Sequence, residues 1–471
     1  MELKRILIGG RFVTGNGLLR VTSPFTGDTV AEVGVAGESQ IDEALTAGVA
    51  ATEELRDLDP NELSRGLAKV SLEISGRIDD FAETIALESG KPLIYARIEA
   101  ERAVATFGFA ASEAKRFSEF EIPIDTSQAG DGRHAAASYH PKGLIFGITP
   151  FNFPLNLVAH KVAPALASRN SIIIKPSEKT PLSALMLGEA FLKSGLPESA
   201  FQVVPMELEN IDEVLADSRV SMISFTGSDR VGWGIKRKHH KKPVALELGG
   251  NAPVIVDETS DLDTAATAIV GGAFAYSGQV CISVQRIIAH KEIEPLLTRK
   301  IKNLAESLQK GDPLDADTRI SVMISKHAAE IAIESISEAV EDGAELVCGG
   351  KLEGSFVEPT LIRNPKQEST VVSEEIFAPV ATIEPFEDFD EAIRMANSSR
   401  FGLQAGVFSK DEGRIRQASI SLQYGGVVIN DVPTFRIDNM PYGGIKDSGC
   451  GREGVRFAME EMSDLKLVVT R

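Results

Sequence analysis

Between Gly143 and Asp257, short runs rich in β-branched residues recur along the chain: LIFGIT, SIIIKP, FQVVP, MISFTG, VALELGG and PVIVD. Several are separated by helical stretches such as PLSALMLGEAFLKSG and NIDEVLADS. A strand that is apolar on both sides has no face to give to water, and parallel strands need long crossovers, which helices supply. The alternation therefore predicts an α/β fold built on a parallel sheet buried on both faces. A second alternating block, from about Thr264 to Asn430 and ending in the strand GGVVIND, predicts a second α/β unit.

The flanks read differently. Residues 5–34 alternate apolar and polar around turn signals at Gly9, Gly10, Pro24 and Gly27, which predicts short strands in a hairpin or meander. Residues 38–117 carry apolar positions three and four apart and read as helices, with Ser39 and Asp59 as entry signals for the first two. The stretch from Glu119 to Tyr139 turns polar and irregular around Gly130 and Gly132, an excursion from the core. After Gly454 a short helix leads into an exposed apolar strand. An unpaired terminal strand invites pairing with another chain, so oligomerisation is expected.

A length of 471 residues suits two or three lobes, and 43% hydrophobic content supplies a sizeable core. With 49 Lys and Arg against 68 Asp and Glu, the net charge of −19 repels polyphosphate backbones and argues against nucleic acid as a partner. No apolar run reaches the ~18 residues of a membrane span. The start, MELKRILIGGRFVTG, reads as a strand and not as a signal peptide. Three cysteines without a CxxC pair point to a reducing compartment, and a cytoplasmic location is expected. The basic block KRKHHKK (236–242) reads as a solvated last helical turn, where cations complement the negative end of the dipole. His239 and His240 are adjacent and share no helix face, and no other cluster has metal-ligand spacing, so no metal is predicted.

Several residues invite a chemical reading, each beside a plainer one. In SFTGSDRVGWG, Gly227 permits a tight turn and Ser228 caps a helix whose free N–H groups suit an anion, though a capped helix alone explains the same residues. Lys175 and Glu178 follow a very apolar strand, where open α/β sheets bind ligands; as a surface pair they need no ligand. Cys281 in GGAFAYSGQVCISVQR is either an inert buried thiol or a nucleophile needing a low-pKa thiolate and a base elsewhere. Glu247 in VALELGGNAP, among apolar neighbours, suits proton abstraction near neutrality or is a buried structural carboxylate. Asn152 in ITPFNFPLN is a turn residue or a donor to a developing oxyanion.

Order and spacing decide among these. PFNFP (150–154), KPSE (175–178), FTGS (225–228), ELGGNAP (247–253), GQVC (278–281), EEIFAP (374–379) and YGGIKDSGCGREG (442–454), with Glu247 and Cys281 34 residues apart, resemble the aldehyde dehydrogenase superfamily over essentially the whole chain. The resemblance implies a Rossmann-like cofactor domain at 1–117 and 143–248, an α/β catalytic domain at 249–454, and a small β oligomerisation element at 118–142 and 455–471, in a homodimer or homotetramer. It implies that Cys281 attacks the aldehyde carbon, that Asn152 and the Cys281 backbone N–H hold the oxyanion, and that Glu247 activates water to hydrolyse the thioester. It places Thr149, Pro150, Phe151, Lys175, Ser177, Glu178, Gly227, Ser228 and Leu248 against the cofactor. Glu375 would grip the nicotinamide ribose and Phe377 pack against the ring, while Ala378 departs from the commoner Gly.

Lys175 would welcome a 2′-phosphate and Glu178 would oppose it, so NAD is predicted, with NADP as the alternative. ISVQR and NDVPTFRIDNMP resemble the branch acting on small polar aldehydes such as lactaldehyde, and on phosphorylated or sulfonated aldehydes. Arg436, Arg102 and Arg286 are candidates to meet an anionic group or are structural ion-pair partners. Phe153, Val280 and Ile282 suit an uncharged aldehyde, and the reading leans to a short, hydroxylated one. Two rivals stand beside it: a dehydrogenase of the same fold that passes the acyl group to coenzyme A, which Glu247 argues against, and a catalytically silent scaffold, which has no use for Cys281, Asn152 and Glu247 together.

Overall fold

The isoleucine-rich runs become the centre of the molecule. In the computed structural model, which describes residues 3–471, Ile172, Ile173 and Ile174 are fully buried in an eight-stranded sheet. Its strand order is Gly449–Cys450, Val244–Glu247, Val220–Thr226, Leu144–Ile148, Ile172–Lys175, Phe201–Val203, Ile6–Ile8 and Arg11–Val13. The five strands from Val244–Glu247 to Phe201–Val203 run parallel, as the two-sided burial requires, and the outer strands join antiparallel. Leu144–Ile148 sits between Ile172–Lys175 and Val220–Thr226, so chain order reverses on either side of it and a crevice opens beyond the carboxyl ends of these strands.

Four helices, Glu38–Asp57, Pro60–Ser75, Ile78–Ser89 and Leu93–Ala114, fill the segment read as helical. Asp59 caps the second as expected: its carboxylate accepts the Asn61 N–H at 2.7 Å, and Glu62 accepts the Asp59 N–H at 3.2 Å. The first starts from Gly37 and not Ser39, because the Gln40 side chain reaches back to accept the Gly37 N–H at 3.2 Å. The leading residues form two antiparallel hairpins, one turning through Gly9 and Gly10 and one joining Gly17–Thr22 to Thr29–Val35. The predicted N-terminal strand begins at Met1; that residue and Glu2 lie outside the described residues.

The second block forms a seven-stranded sheet in the order Glu345–Cys348, Thr360–Arg363, Val380–Phe386, Arg286–His290, Pro253–Val256, Gln404–Phe408 and Gly426–Ile429. Only its first strand runs antiparallel to its neighbour. The excursion and the tail meet in a third sheet, where His134–Pro141 pairs with Phe120–Glu121 on one side and Ser463–Thr470 on the other. The last strand leaves Leu465, Leu467, Val468 and Val469 exposed. Two stretches pack away from the lobes that the resemblance assigned them. Gly449–Cys450 pairs with Val244–Glu247 in the first sheet, and Val455, Met459 and Met462 join the first core. Among the described residues, no helix is long and apolar enough to cross a membrane.

Candidate active site

The loop 149–155, which follows the strand Leu144–Ile148, carries Asn152, nearly fully buried. Its side-chain amide donates to the Gln279 carbonyl at 2.9 Å, which ties the loop to the segment that precedes Cys281. The loop is anchored from below by Glu99, whose carboxylate accepts the Leu155 N–H at 2.9 Å and the Asn156 N–H at 3.1 Å. This is a cap for the helix Asn156–Ala167 supplied by another helix. Lys91 pairs with Glu99 and lies 3.7 Å from the centre of the Phe153 ring. Neither Lys91 nor Glu99 was identified from the sequence, because capping in trans leaves no local pattern.

Cys281 is reached through a sharp turn. Tyr276, Ser277 and Gly278 all take left-handed backbone, with φ of 49°, 53° and 68°. A Cβ at Gly278 would lie 2.0 Å from the Ala378 carbonyl oxygen, so only glycine fits there. Cys281 Sγ lies 3.0 Å from the Tyr442 hydroxyl. Burial pushes the Cys281 thiol up to about 11, against the pull of Tyr442 and Arg436, while Glu375 and Glu247 add to the rise. The expected low-pKa thiolate is therefore absent from this arrangement, and the sulfur needs a proton acceptor.

Glu247 ends its strand almost fully buried, and among the described residues its Oε2 has no hydrogen-bond partner. Burial, and then the negative charge of Glu453, raise its carboxyl well above the ordinary value. Glu453 sits at about 2, because Lys161, Arg436 and His160 outweigh its own burial. Of the two buried carboxyls, Glu453 is thus the one held ionised and Glu247 the one suited to take up a proton. Tyr442, Glu453 and Lys161 had no assigned role; the first two were within reach, since both lie in the YGGIKDSGCGREG motif.

Cys281, Val280, Ile282 and Phe153 line one cavity of about 210 Å³ together with Arg102, Arg436, Thr434 and Tyr442. Arg436 is bonded to Glu453 at 2.9 Å, stacks over the Tyr442 ring at 3.6 Å, and keeps an unpartnered Nε among the described residues. Arg102 grips Asp438 through two nitrogens, its closest contact at 2.7 Å. Arg286 lies elsewhere, buried at the foot of its strand and donating to the Met395 carbonyl at 2.7 Å. It has no access to this cavity and is structural.

The remaining predicted residues gather at the crevice. Lys175 and Glu178 pair at 2.9 Å, and Ser177 accepts the Lys179 N–H at 3.2 Å. Thr149 is buried and bonded to the Lys175 carbonyl at 3.2 Å, while Pro150 and Phe151 are half-buried. The Phe151 and Phe377 rings meet edge to face, centres 5.9 Å apart. The Gly227 N–H bonds the Glu247 carbonyl at 3.1 Å. Ser228 begins the helix Asp229–Lys238 with its backbone and makes no side-chain cap. Leu248 is buried beneath Gly232, so its side chain supports that helix from below. Glu375 accepts the Gly250 N–H at 3.1 Å, and burial pushes its carboxyl up to about 8. A crevice with a helix N-terminus, a Lys–Glu pair at a strand end and a carboxyl held beside bare glycine backbone fits a dinucleotide. Among the described residues no His, Cys, Asp or Glu group could hold a metal ion.

Comparison with known proteins agrees over the full length. The model of the aldehyde dehydrogenase family matches residues 12–468. The chain is 38% identical over 465 residues to a 3-sulfolactaldehyde dehydrogenase of Priestia aryabhattai, covering 98% of this chain and 97% of that protein. It is 37% identical over 456 residues to a lactaldehyde dehydrogenase of Methanococcus aeolicus, covering 96% and 97%. The crystal structure of aldehyde dehydrogenase 21 from Physcomitrella patens, in complex with the reaction product succinate, superposes with a TM-score of 0.98 at 39% identity over 100% of this chain and 98% of that one. Fold, cavity and motifs converge: the chain belongs to the aldehyde dehydrogenase family and is an oxidoreductase acting on aldehydes with NAD(P).

Proposed function

We propose that this chain oxidises a short aldehyde bearing an anionic far end to the corresponding acid. The observation that carries the reading is one cavity holding both the Cys281 sulfur and two guanidinium groups, those of Arg102 and Arg436. At about 210 Å³ the cavity is smaller than the ~300–1,000 Å³ of drug-sized sites, which suits a substrate of a few carbons. Both arginines have carboxylate partners, yet Arg436 retains a free Nε aimed at no protein acceptor among the described residues. While one related protein is named for lactaldehyde, another is named for a sulfonated aldehyde and a related structure holds the product succinate. This moves the expectation from a hydroxylated neutral aldehyde toward an anionic one.

The residues divide the work as follows. Glu247 takes the thiol proton, and Cys281 sulfur bonds to the carbonyl carbon while the carbonyl electron pair moves to oxygen. The Asn152 amide and the Cys281 N–H hold that oxyanion; one such donor contributes about 3–4 kcal/mol in the transition state. When bound, the nicotinamide of NAD(P) supplies the hydride acceptor. Lys175, Glu178, Phe151, Phe377 and Glu375 would hold that cofactor, and the Glu178 carboxylate favours NAD over a 2′-phosphate. Glu247 passes that proton to solvent and, ionised again, takes one from water; the hydroxide adds to the thioester carbon, and the C–S bond breaks to release the acid and the Cys281 thiolate. A raised-pKa carboxyl beside the sulfur favours water over coenzyme A as the acyl acceptor. The exposed apolar residues of Ser463–Thr470 suit burial against a second copy, in a homodimer or homotetramer.

A panel of paired aldehydes, each anionic compound beside a neutral isostere and followed by NADH absorbance, tests the reading. The anionic member of each pair is expected to have at least ten-fold higher kcat/KM. Equal values across the pairs overturn it.

A further inference from the structure

We propose that the Tyr442 hydroxyl is a catalytic group for the thiol step, donating a hydrogen bond to Cys281 Sγ that favours the thiolate and fixes its direction. The inference rests on the reading of Cys281 as nucleophile and goes beyond it by supplying what that sulfur lacks. Among the described residues no helix N-terminus or lysine is bonded to Cys281; the phenol at 3.0 Å is its side-chain partner.

The placement of Tyr442 is built into the fold. Its N–H donates to the Glu453 carbonyl at 3.0 Å, and its own carbonyl accepts the Glu453 N–H at 2.6 Å. Its ring is buried, with the Arg436 guanidinium 3.6 Å above the centre. A cation over the face draws electron density from the ring, which makes the O–H a stronger donor. The phenol nevertheless keeps its proton, since burial and the adjacent Cys281 charge raise it well above its ordinary value. It thus donates to the thiolate throughout, while the thiol proton itself leaves for Glu247. The groups facing Cys281 are Tyr442 and Arg436, which favour its charge, and Glu375 and Glu247, which oppose it. Removing the phenol oxygen therefore leaves Arg436 alone to favour the charge against burial and that pair.

The test is the pH profile of Cys281 alkylation by iodoacetamide, read by mass spectrometry on the Cys281 peptide so that Cys348 and Cys450 do not contribute. In Tyr442→Phe the midpoint is expected to rise by about one unit or more, as loss of a hydrogen bond to a charged group implies. A one-unit rise cuts the thiolate fraction about ten-fold. Higher intrinsic nucleophilicity returns about three-fold of this, so alkylation below the midpoint slows about three-fold. Tyr442→Leu shifts it in the same direction, and NAD binding measured on both variants shows that they are folded. An unshifted midpoint in a variant that binds NAD overturns the proposal. Cys281→Ala that retains oxidation overturns instead the nucleophile reading beneath it. A structural role for Tyr442, filling space beside the cavity, would alter KM without moving the alkylation midpoint.

Discussion

Glu375 holds its position because residue 249 has no side chain. A Cβ at Gly249 would lie 2.0 Å from Glu375 Oε2, 2.5 Å from Cδ and 2.7 Å from Oε1. In Gly249→Ala the carboxyl must therefore retreat by about 1.5 Å to reach an ordinary contact distance, which also breaks the 3.1 Å bond from the Gly250 N–H. The obstructing atoms are the tip of a flexible side chain, and Gly249 does not use left-handed backbone. The fold is thus expected to survive, with a Tm within a few degrees of the parent. Cofactor binding is not expected to survive. A carboxylate hydrogen-bonded to ribose hydroxyls contributes about 1.5–3 kcal/mol, so its displacement weakens the cofactor Kd by roughly ten- to hundred-fold. The single tryptophan reports this directly. Trp233 lies on the helix Asp229–Lys238 at the crevice, fixed by its Nε1 donating to the Asp447 carbonyl at 3.1 Å. Its fluorescence, titrated with NAD, gives Kd without turnover. A parental Kd in Gly249→Ala would refute the assignment of Glu375 to the ribose. Loss of binding together with a large fall in Tm would show instead that residue 249 serves folding.

Glu247→Gln is expected to lower steady-state turnover about 10²–10⁴-fold and to slow the first turnover of NADH as well, because both the thiol proton and the water proton lose their acceptor; full steady-state turnover would exclude Glu247 as the base. Arg102→Gln, which removes a cavity cation while Asp438 keeps its bonds from His160 and Asn156, is expected to lower kcat/KM about ten-fold or more for anionic aldehydes and less than about three-fold for neutral ones. Glu375 gives the clearest pH signature: its folded carboxyl sits at about 8 against 4.5 for the ordinary group. The apoenzyme therefore holds a proton that the unfolded chain has lost, and stability falls as pH rises between those values, a slope that Glu375→Gln should flatten in Tm measurements. NAD affinity should move oppositely, strengthening as pH rises through about 8 and the carboxyl becomes a full acceptor.

The candidate site residues were legible because each lies in a short motif at fixed spacing. Cys281, Glu247 and Asn152 reach one region through the parallel sheet and the turn at Gly278. The environment that sets their behaviour was not legible, since it comes from residues far along the chain. The Cys281 thiol depends on Tyr442, and the Asn152 loop on Glu99, whose sequence signal is a carboxylate in a helix like many others. Apolar periodicity identified the helix Val455–Glu461 but carries no information about its partner, and the partner proved to be the first core and not the terminal sheet. The three arginines read alike in the sequence. Only the structure separates Arg286, bonded to a backbone carbonyl, from Arg102 and Arg436, which pair with carboxylates and also face the cavity.

For those two arginines the alternatives of ion-pair partner and substrate contact are not exclusive, and the local charge explains why. Around the cavity and the Glu247–Glu453 pair stand the cations Lys91, Arg102, Lys161, Arg436 and Arg452 and the anions Glu99, Asp438 and Glu453. Asp438 is held well below the usual carboxylate range despite burial, by His160 and Arg102, so it stays ionised. Burial raises the Glu247 carboxyl well above its ordinary value and pushes His160 toward its neutral form. The cluster thus holds more cations than anions in a region of low dielectric. An isolated buried charge is costly, and it is relieved when a single anionic group enters. The same surplus favours ionisation of Cys281 and of Glu247, both of which feel Arg436. A substrate anion that neutralises it therefore opposes the first deprotonation of sulfur while it secures binding. The phenol of Tyr442 is neutral and is not cancelled by an incoming anion, so it is the donor on which the thiolate depends once the substrate is in place.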